Sequence, residues 1–217
     1  MNISELNKAE ELIYFTKDQL LTLNPKNSLK SIEQNIYRWL KKGKIISLKR
    51  GTYTTRKNLE KYSQEPEFRE FLASRLKIPS YLSLEYILSK HEVLTEGTFP
   101  ITLVTLKTGS RLSNNLSTFI YKNIKKDLFL GYKLRFFGKH EYYVATKAKA
   151  LFDYFYFKAG SLANNFNKRN LVKELRLNLD SFSKKDFKEL EKYSNLAKIN
   201  KLKLIIKNII KYAPNNL

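Results

Sequence analysis

The sequence predicts an α+β protein, and three observations support this prediction. Residues 1–55 contain helical segments followed by two strand-like runs, apolar β-branched runs recur between residues 101 and 145, and helical spacing returns after residue 146. No internal repeat or low-complexity linker interrupts the 217 residues. With 42% hydrophobic residues, the chain is expected to bury a sizeable core of helices and sheets.

Two short helices are predicted near the N-terminus. Residues 3–13 carry apolar side chains at helical spacing. Residues 16–19 read Thr-Lys-Asp-Gln, which is a capping box for a second helix. Pro25 disfavours helix at the residue before it, so the chain breaks there, and Asn27 or Ser28 can cap a third helix.

The third helix, predicted over residues 28–42, has the clearest amphipathic pattern in the chain. Gly43 follows it, where a left-handed residue commonly ends a helix. Its apolar stripe consists of Leu29, Ile32, Ile36, Trp39 and Leu40. Its polar face includes Lys30, Ser31, Gln34, Arg38 and Lys41. One face is therefore expected to pack against the core while the other stays open.

Two strands are predicted after this helix, over KIISLK and TYTT, with Arg50-Gly51 as the turn between them. Helix, helix, turn, helix and hairpin in this order predict a winged helix-turn-helix. The third helix of such a fold enters the DNA major groove, where Gln can pair with adenine and Arg with guanine. The hairpin, or wing, offers basic and hydroxyl side chains to phosphates. The predicted DNA-binding residues are Ser28, Lys30, Ser31, Gln34, Arg38, Lys41, Lys42, Lys49, Arg50, Thr52 and Tyr53.

The distribution of charge favours double-stranded DNA as a partner. The chain has 41 Lys and Arg against 20 Asp and Glu, a net charge of +21. Between Glu33 and Glu60 lie eight basic and no acidic residues, whereas residues 61–110 hold six of each. A lysine-rich coding bias alone would not leave that neutral block. The alternative for residues 28–55 is an amphipathic helix with an ordinary solvated face and a surface hairpin.

The rest of the chain is predicted to form a mixed α/β domain, so the two domains are placed at residues 1–58 and 59–217. Helices are expected from near Pro66, over residues 81–94, and from Thr146 to Gly160. The predicted strands are FPITLVTL, STFIYKNI, DLFLGYK, LRFFG and YYVAT.

The C-terminal region is predicted to be a basic helical tail. Ser183 and Asp186 form a second capping box, and Phe182 and Phe187 can form the hydrophobic staple that accompanies it. A final amphipathic stripe is predicted over Leu196, Ile199, Leu202, Ile206 and Ile209.

No motif predicts a metal site or a nucleophile. The absence of cysteine excludes thiolate chemistry and zinc-finger sites. His91 and His140 are far apart and are expected to be surface or packing residues. Residues 108–111 read Thr-Gly-Ser-Arg, but the paired aspartates that a nucleotidyltransferase loop needs for Mg²⁺ do not follow them.

The acidic residues of the second domain do not form a catalytic set either. Asp127 and Glu141, with Lys147, do not have the spacing of a tight nuclease site. Asp153 lies on an aromatic helix face and is expected to be a structural hydrogen-bonding group. We therefore expect no enzyme activity and no cofactor or metal.

The N-terminal sequence lacks the basic and apolar regions of a signal peptide. No apolar run reaches the about 20 residues that span a bilayer. We therefore expect a cytoplasmic protein without a membrane partner.

Four segments, in order, carry a resemblance to a known family. They are FTKDQLL with SIEQNIYRWLKKGKIISLKRGTYT, then PSYLSLEYILSKHEVLTE, then ITLVTLKTGSR with FIYKNIKKDLFLGYK, and finally YYVATKAKALFDYFYF. Together they resemble the AbiEi-type antitoxins of bacterial abortive-infection toxin–antitoxin systems, over roughly residues 14–160. Where that family has Pro-Glu before its Lys-Ala-Leu motif, this chain has Lys147-Ala148.

The resemblance implies a type IV antitoxin that acts in phage defence. Its first domain would bind inverted repeats in its own promoter as a repressor. Its second domain would neutralise a nucleotidyltransferase-like toxin, directly or indirectly. The alternative is a standalone winged-helix transcription factor with a ligand- or partner-sensing second domain. A nucleic-acid-processing enzyme is disfavoured because clustered acidic residues are absent.

Overall fold

A computed structural model of the chain describes residues 3–95, 97, 100–162 and 169–214. Within these residues the protein has ten α-helices, one short 3-10 helix and two β-sheets. The predicted α+β class is therefore confirmed. The buried apolar residues form a small core near the N-terminus and a larger one that takes in most of the remaining chain.

The helices are α1 (Ile3–Glu10), α2 (Lys17–Leu23), α3 (Leu29–Lys41), α4 (Arg56–Lys61), α5 (Pro66–Leu76), α6 (Leu84–Lys90), α7 (Lys147–Lys158), α8 (Leu171–Glu174), α9 (Lys184–Ala197) and α10 (Asn200–Lys211). The strands are β1 (Phe15–Thr16), β2 (Ile45–Lys49), β3 (Thr52–Thr55), β4 (Ser80–Leu82), β5 (Ile101–Thr105), β6 (Ser110–Ser113), β7 (Thr118–Asn123), β8 (Tyr132–Phe137) and β9 (His140–Ala145). The 3-10 helix spans Lys126–Leu128.

The small core is enclosed by α1, α2, α3 and a three-stranded antiparallel sheet in the order β1-β3-β2. The two-residue strand β1 was not predicted, because a strand this short has no periodic signal of its own. It pairs with β3 and forms one edge of the sheet. The buried residues of this core are Leu6, Ala9, Phe15, Leu20, Ile32, Ile36, Trp39 and Ile45.

The predicted helix caps of this segment are confirmed, although α1 ends at Glu10 and does not extend to residue 13 as its apolar spacing predicted. Thr16 and Gln19 make both hydrogen bonds of the capping box at α2. Ser28, rather than Asn27, caps α3. Gly43 adopts the expected left-handed conformation with φ +64. These features were predictable because each depends on residues within four positions of one another.

The large core surrounds a six-stranded mixed sheet in the order β6-β7-β5-β4-β9-β8. The β4–β9 and β5–β7 pairs are parallel, and the other pairs are antiparallel. Strand β5 confirms the described part of the FPITLVTL prediction, while residue 99 lies outside the described residues. In this strand order β6 and β8 form the two edges of the sheet.

Two predictions in this region are wrong. Residues 81–94 do not form one helix, because Tyr81 and Leu82 belong to β4, and α6 begins only at Leu84. The β4 backbone pairs with β5 on one side and β9 on the other, and this non-local pairing overrides the local helical pattern. DLFLGYK is not a strand throughout, since it begins in the 3-10 helix and enters β8 only at Tyr132.

The C-terminal helices are not a separate tail. The capping box of Ser183 and Asp186 is confirmed, and the rings of Phe182 and Phe187 lie 5.5 Å apart as the predicted staple. The predicted stripe is interrupted, however, because Lys198 is left-handed with φ 55 and separates α9 from α10. Both helices contribute to the large core through Phe187, Leu190, Tyr193, Leu202, Ile205, Ile206 and Ile209.

The β2–β3 hairpin contacts the large core as well as the small one. The unpredicted helix α4 spans the proposed boundary between residues 58 and 59, with Thr55 as its N-cap. Leu48 of β2 is 1% exposed and belongs to the large core. The Asn114 amide donates to the Leu48 carbonyl oxygen at 2.9 Å. The β2–β3 hairpin is therefore attached to the six-stranded sheet.

Candidate nucleic-acid interface

The open face of α3 presents three of the eleven predicted DNA-binding side chains. Lys30, Gln34 and Arg38 follow one another at intervals of four residues and line one shallow depression. Of the eleven predicted residues, Ser28, Lys30, Gln34, Arg38, Lys41, Lys42 and Arg50 are exposed, Ser31, Lys49 and Tyr53 are half-buried, and Thr52 is buried.

Arg38 is oriented by a chain of hydrogen bonds. Its Nη2 donates to Asn35 Oδ1 at 2.7 Å, and its Nε donates to the Gln34 carbonyl oxygen at 3.3 Å. The Asn35 amide in turn donates to Glu5 Oε2 at 2.5 Å, and this Glu5 is only 2% exposed. A guanidinium has five N–H donors, so these bonds orient the side chain and leave donor capacity for a ligand.

The Glu5 carboxylate also links the elements on either side of the turn before α3. Its Oε1 accepts a hydrogen bond from the Asn27 amide at 2.5 Å. On the surface, Lys17 of α2 and Glu33 of α3 form an ion pair of 3.0 Å. The Glu33 partner raises the pKa of Lys17. These contacts hold α3 in a fixed orientation relative to α1 and α2.

Lys49 does not form the exposed basic tip that was predicted with Arg50. Its Nζ donates to the Leu76 carbonyl oxygen at 2.6 Å, at the end of α5. Burial lowers the pKa of Lys49, and the nearby Lys107 and Lys77 cations lower it further. Arg50 is exposed at the turn, next to Gly51 with φ +76. The open cation of the hairpin turn is therefore Arg50.

The predicted phosphate-binding roles of two hydroxyl residues in the hairpin, Thr52 and Tyr53, are also wrong in part. Thr52 is 6% exposed, because it lies in β3 between β1 and β2. The Tyr53 ring packs 5.8 Å from the Phe15 ring. Successive side chains of a strand point to opposite faces, so Thr52 and Tyr53 lie on different faces of β3. Thr52 is buried, and Tyr53 is half-buried against the small core, so neither is an open hydroxyl at the surface of the hairpin.

The sequence interpretation missed Tyr37. This side chain is 66% exposed and lines the same depression as Gln34 and Arg38. An aromatic ring on an open basic face can contact a base or sugar, and its hydroxyl can donate to a phosphate. Its helical position could have revealed it, because it follows Gln34 by three residues.

The buried part of the apolar stripe on α3 is shorter than predicted. Leu29 and Leu40, at the two ends of the helix, are 44% and 37% exposed. Ile32, Ile36 and Trp39 alone bury the helix against the small core.

The candidate catalytic acids do not assemble into an open site. Asp127 and Glu141 are exposed, whereas Asp153 is fully buried. Its carboxylate binds the Lys149 ammonium and accepts hydrogen bonds from Tyr81 at 3.0 Å and from Ser83 at 2.7 Å. Asp153 is thus the structural hydrogen-bonding group that was predicted.

The buried environment disfavours the charged forms of both Asp153 and Lys149. Burial raises the pKa of Asp153 and lowers the pKa of Lys149. Burial and the Asp153 carboxylate both raise the pKa of Tyr81, so its hydroxyl stays protonated and donates. The Lys149 ammonium also lies over the rings of Tyr81 and Phe152. The cluster is enclosed by aromatic rings.

In the part of the chain that the structure describes, no group of three or more His, Asp or Glu residues could hold a metal ion. The same part contains no helix long and apolar enough to cross a membrane. Comparison with protein-family models and with curated proteins finds no match for this chain.

Proposed function

We propose that the chain is an AbiEi-type antitoxin that binds and represses its own promoter and neutralises a nucleotidyltransferase-like toxin. Its N-terminal segment is a winged helix-turn-helix in this proposal. The element order supports it, because β1 joins the hairpin in one sheet while α2 and α3 form the helical pair beside it. In this assignment α3 is the recognition helix and the β2–β3 hairpin is the wing.

The observation that carries the DNA-binding proposal is the open face of α3. Gln34, Tyr37 and Arg38 lie together there, and the Asn35 and Gln34 bonds orient the guanidinium. Gln and Arg are the side chains that pair bidentately with adenine and guanine in the major groove. Lys30, Lys41 and Arg50 supply cations for the phosphates on either side.

The antitoxin part of the proposal depends on the family resemblance, and one contact supports it. The Tyr-Leu-Ser-Leu-Glu and Lys-Ala-Leu-x-Asp motifs lie about 70 residues apart in the chain. In the structure they meet, because Tyr81 and Ser83 of the first motif bind Asp153 of the second. Residues that distinguish the second domain therefore hold one buried cluster together.

A standalone transcription factor with a sensing second domain is the second candidate. The attachment of the hairpin to the six-stranded sheet favours it, since Lys49 binds the end of α5 and Asn114 binds Leu48. A ligand or partner that changed the second domain would then act on the wing directly.

Co-expression with the neighbouring reading frame separates the two candidates. If that frame encodes a growth-arresting nucleotidyltransferase-like protein, the antitoxin proposal expects the full-length chain to restore growth. A Gln34→Ala, Arg50→Ala double variant should still restore growth while losing promoter binding. Failure of the wild-type chain to restore growth, with repression intact, would leave the transcription-factor function and overturn the antitoxin one.

A further inference from the structure

A cleft of about 480 Å³ opens beside the edge strand β8 of the large sheet. His91, at the end of α6, lines one wall, and Lys133 and Arg135 of β8 line another. The first residue of α7, Lys147, and the first turns of α9, with Lys185, complete it. Its volume is in the range of small-molecule sites, which are about 300–1,000 Å³.

Part of the charge in this cleft is compensated within the protein. Lys147 Nζ lies 3.1 Å from Asp186 Oδ2 and donates to the Ser181 carbonyl oxygen. The same Asp186 oxygen accepts from the Ser183 backbone N–H at 2.8 Å. The Lys147–Asp186 pair is therefore part of the wall, and its charges are not available to a ligand.

Three further cations in the cleft have no such partner. Lys133, Arg135 and Lys185 are exposed, and none makes a side-chain hydrogen bond or ion pair with any described residue. Burial lowers the pKa of His91, and the Lys147, Lys90 and Arg135 cations lower it further. Besides the Lys147–Asp186 pair, the cleft therefore holds three cations and one carboxylate, that of Glu189, so its potential is positive.

A di- or triphosphate group has the charge that this arrangement requires. It carries two to four negative charges on closely spaced oxygens, and arginine binds two of those oxygens at once. The Glu189 carboxylate also borders the cleft. It would repel a phosphate but can accept a hydrogen bond from a ligand hydroxyl or amino group. The basic side chains on one side and Glu189 on the other suit a molecule that is anionic at one end and neutral and polar at the other.

We propose that this cleft binds a small molecule bearing a di- or triphosphate group, through Arg135, Lys133 and Lys185. The Glu189 carboxylate in the cleft disfavours a continuous nucleic-acid backbone. The cleft is also remote from the contact with the hairpin, which lies at the opposite edge of the sheet beside β6. Five interstrand spacings of about 4.8 Å separate the two edges by about 24 Å. Binding in the cleft can therefore be measured whether or not the chain binds DNA.

Isothermal titration of the full-length protein with tripolyphosphate and, separately, with ATP tests this site. We expect saturable binding of one ligand per chain. Arg135→Gln should weaken it about tenfold, as expected for loss of hydrogen bonds to a charged group. The matched control is Arg111→Gln, an exposed arginine on the opposite edge strand β6, which should change the affinity less than about twofold.

The two probes distinguish the sources of the phosphate group. Tighter binding of ATP, lost in Glu189→Ala, indicates a nucleotide, and equal binding indicates an inorganic oligophosphate. Both results support the site. Absence of saturable binding, or equal weakening by Arg135→Gln and Arg111→Gln, would overturn it in favour of diffuse surface charge. A comparable loss of duplex DNA binding in Arg135→Gln would overturn it in favour of a nucleic-acid surface.

Discussion

The ammonium of Lys49 binds the carbonyl oxygen of Leu76 at 2.6 Å and so ties the hairpin after α3 to the end of α5. This bond changes the expected role of Lys49, which was predicted to contact phosphates together with Arg50. Lys49 serves the contact between the two cores, and Arg50 is left as the exposed cation of the turn. The bond therefore joins the β2–β3 hairpin to α5, whose Leu76 belongs to the large core.

Lys49→Met should destabilise the protein without removing a phosphate contact. The Met side chain keeps the apolar stem, but the Leu76 carbonyl loses a charged donor, which costs about 1.5–3 kcal/mol. Urea unfolding followed by circular dichroism measures this loss. Duplex DNA affinity at constant salt should change little. A loss of affinity as large as that of Arg50→Ala would contradict the structural role.

Arg50→Ala should weaken DNA binding equally for all sequences. The slope of log K against log salt is negative, and loss of one phosphate contact reduces its magnitude by about 0.9. Titrations of promoter and unrelated duplexes over a range of salt concentrations measure it. Lys203→Ala serves as a control, because it removes an exposed cation from α10. An unchanged slope in Arg50→Ala would exclude the turn from the interface.

Gln34→Ala and Arg38→Ala should each relax specificity at one position of the bound site. A bidentate contact contributes about 1–3 kcal/mol of discrimination against the wrong base. Tyr37→Phe and Tyr37→Ala separate the hydroxyl from the ring on the same face. Binding to a library of single-base promoter variants is the measurement. A uniform loss over all positions would assign these residues to the phosphate backbone.

Asp153→Ala should cause a large loss of stability, about 3–5 kcal/mol, because it leaves the buried Lys149 ammonium without its counter-ion. The double variant Lys149→Met, Asp153→Leu removes both charges and should lose less. Urea unfolding of the three proteins measures the difference. Equal losses in the single and double variants would show that the pair is not the source of the effect.

The stability contributed by Asp186 should depend on pH. Burial alone would raise its pKa, but the Ser183 hydrogen bonds and the Lys147 ammonium lower it overall. An unfolded aspartate titrates near 3.9, so this contribution is complete above about pH 5 and is lost as pH falls through the lower folded value.

Asp186→Asn should therefore cost about 1 kcal/mol at pH 7, and the difference from wild type should shrink below about pH 4. Asp127→Asn, at an exposed position in the 3-10 helix, is the matched control. Unfolding curves at pH 7 and pH 3 measure both variants. A difference between wild type and Asp186→Asn that persisted unchanged at pH 3 would contradict the lowered pKa.

Local features of the fold were predictable, and non-local ones were not. The caps at Thr16, Ser28 and Ser183 depend on side chains three residues away, so their sequence patterns were sufficient. Local periodicity does not predict strand β4, because its two pairing partners lie about 20 and 60 residues away in the chain.

The candidate interface shows the same division. The polar face of α3 followed from helical periodicity, and Lys30, Gln34 and Arg38 lie there as expected. The direction of Lys49 could not be predicted, since its partner Leu76 is 27 residues away. The cleft beside β8 combines residues from β8, β9, α7, α9 and the end of α6, so no sequence motif marks it.

The affinity of the full-length protein for its own promoter, relative to a scrambled duplex of equal length and composition, tests the central claim most directly. At about 150 mM salt the promoter should be bound at least about 10³-fold more tightly. Gln34→Ala and Arg38→Ala should reduce that ratio, while Lys203→Ala should leave it unchanged. Equal affinity for the two duplexes would contradict the account of α3 as a recognition helix.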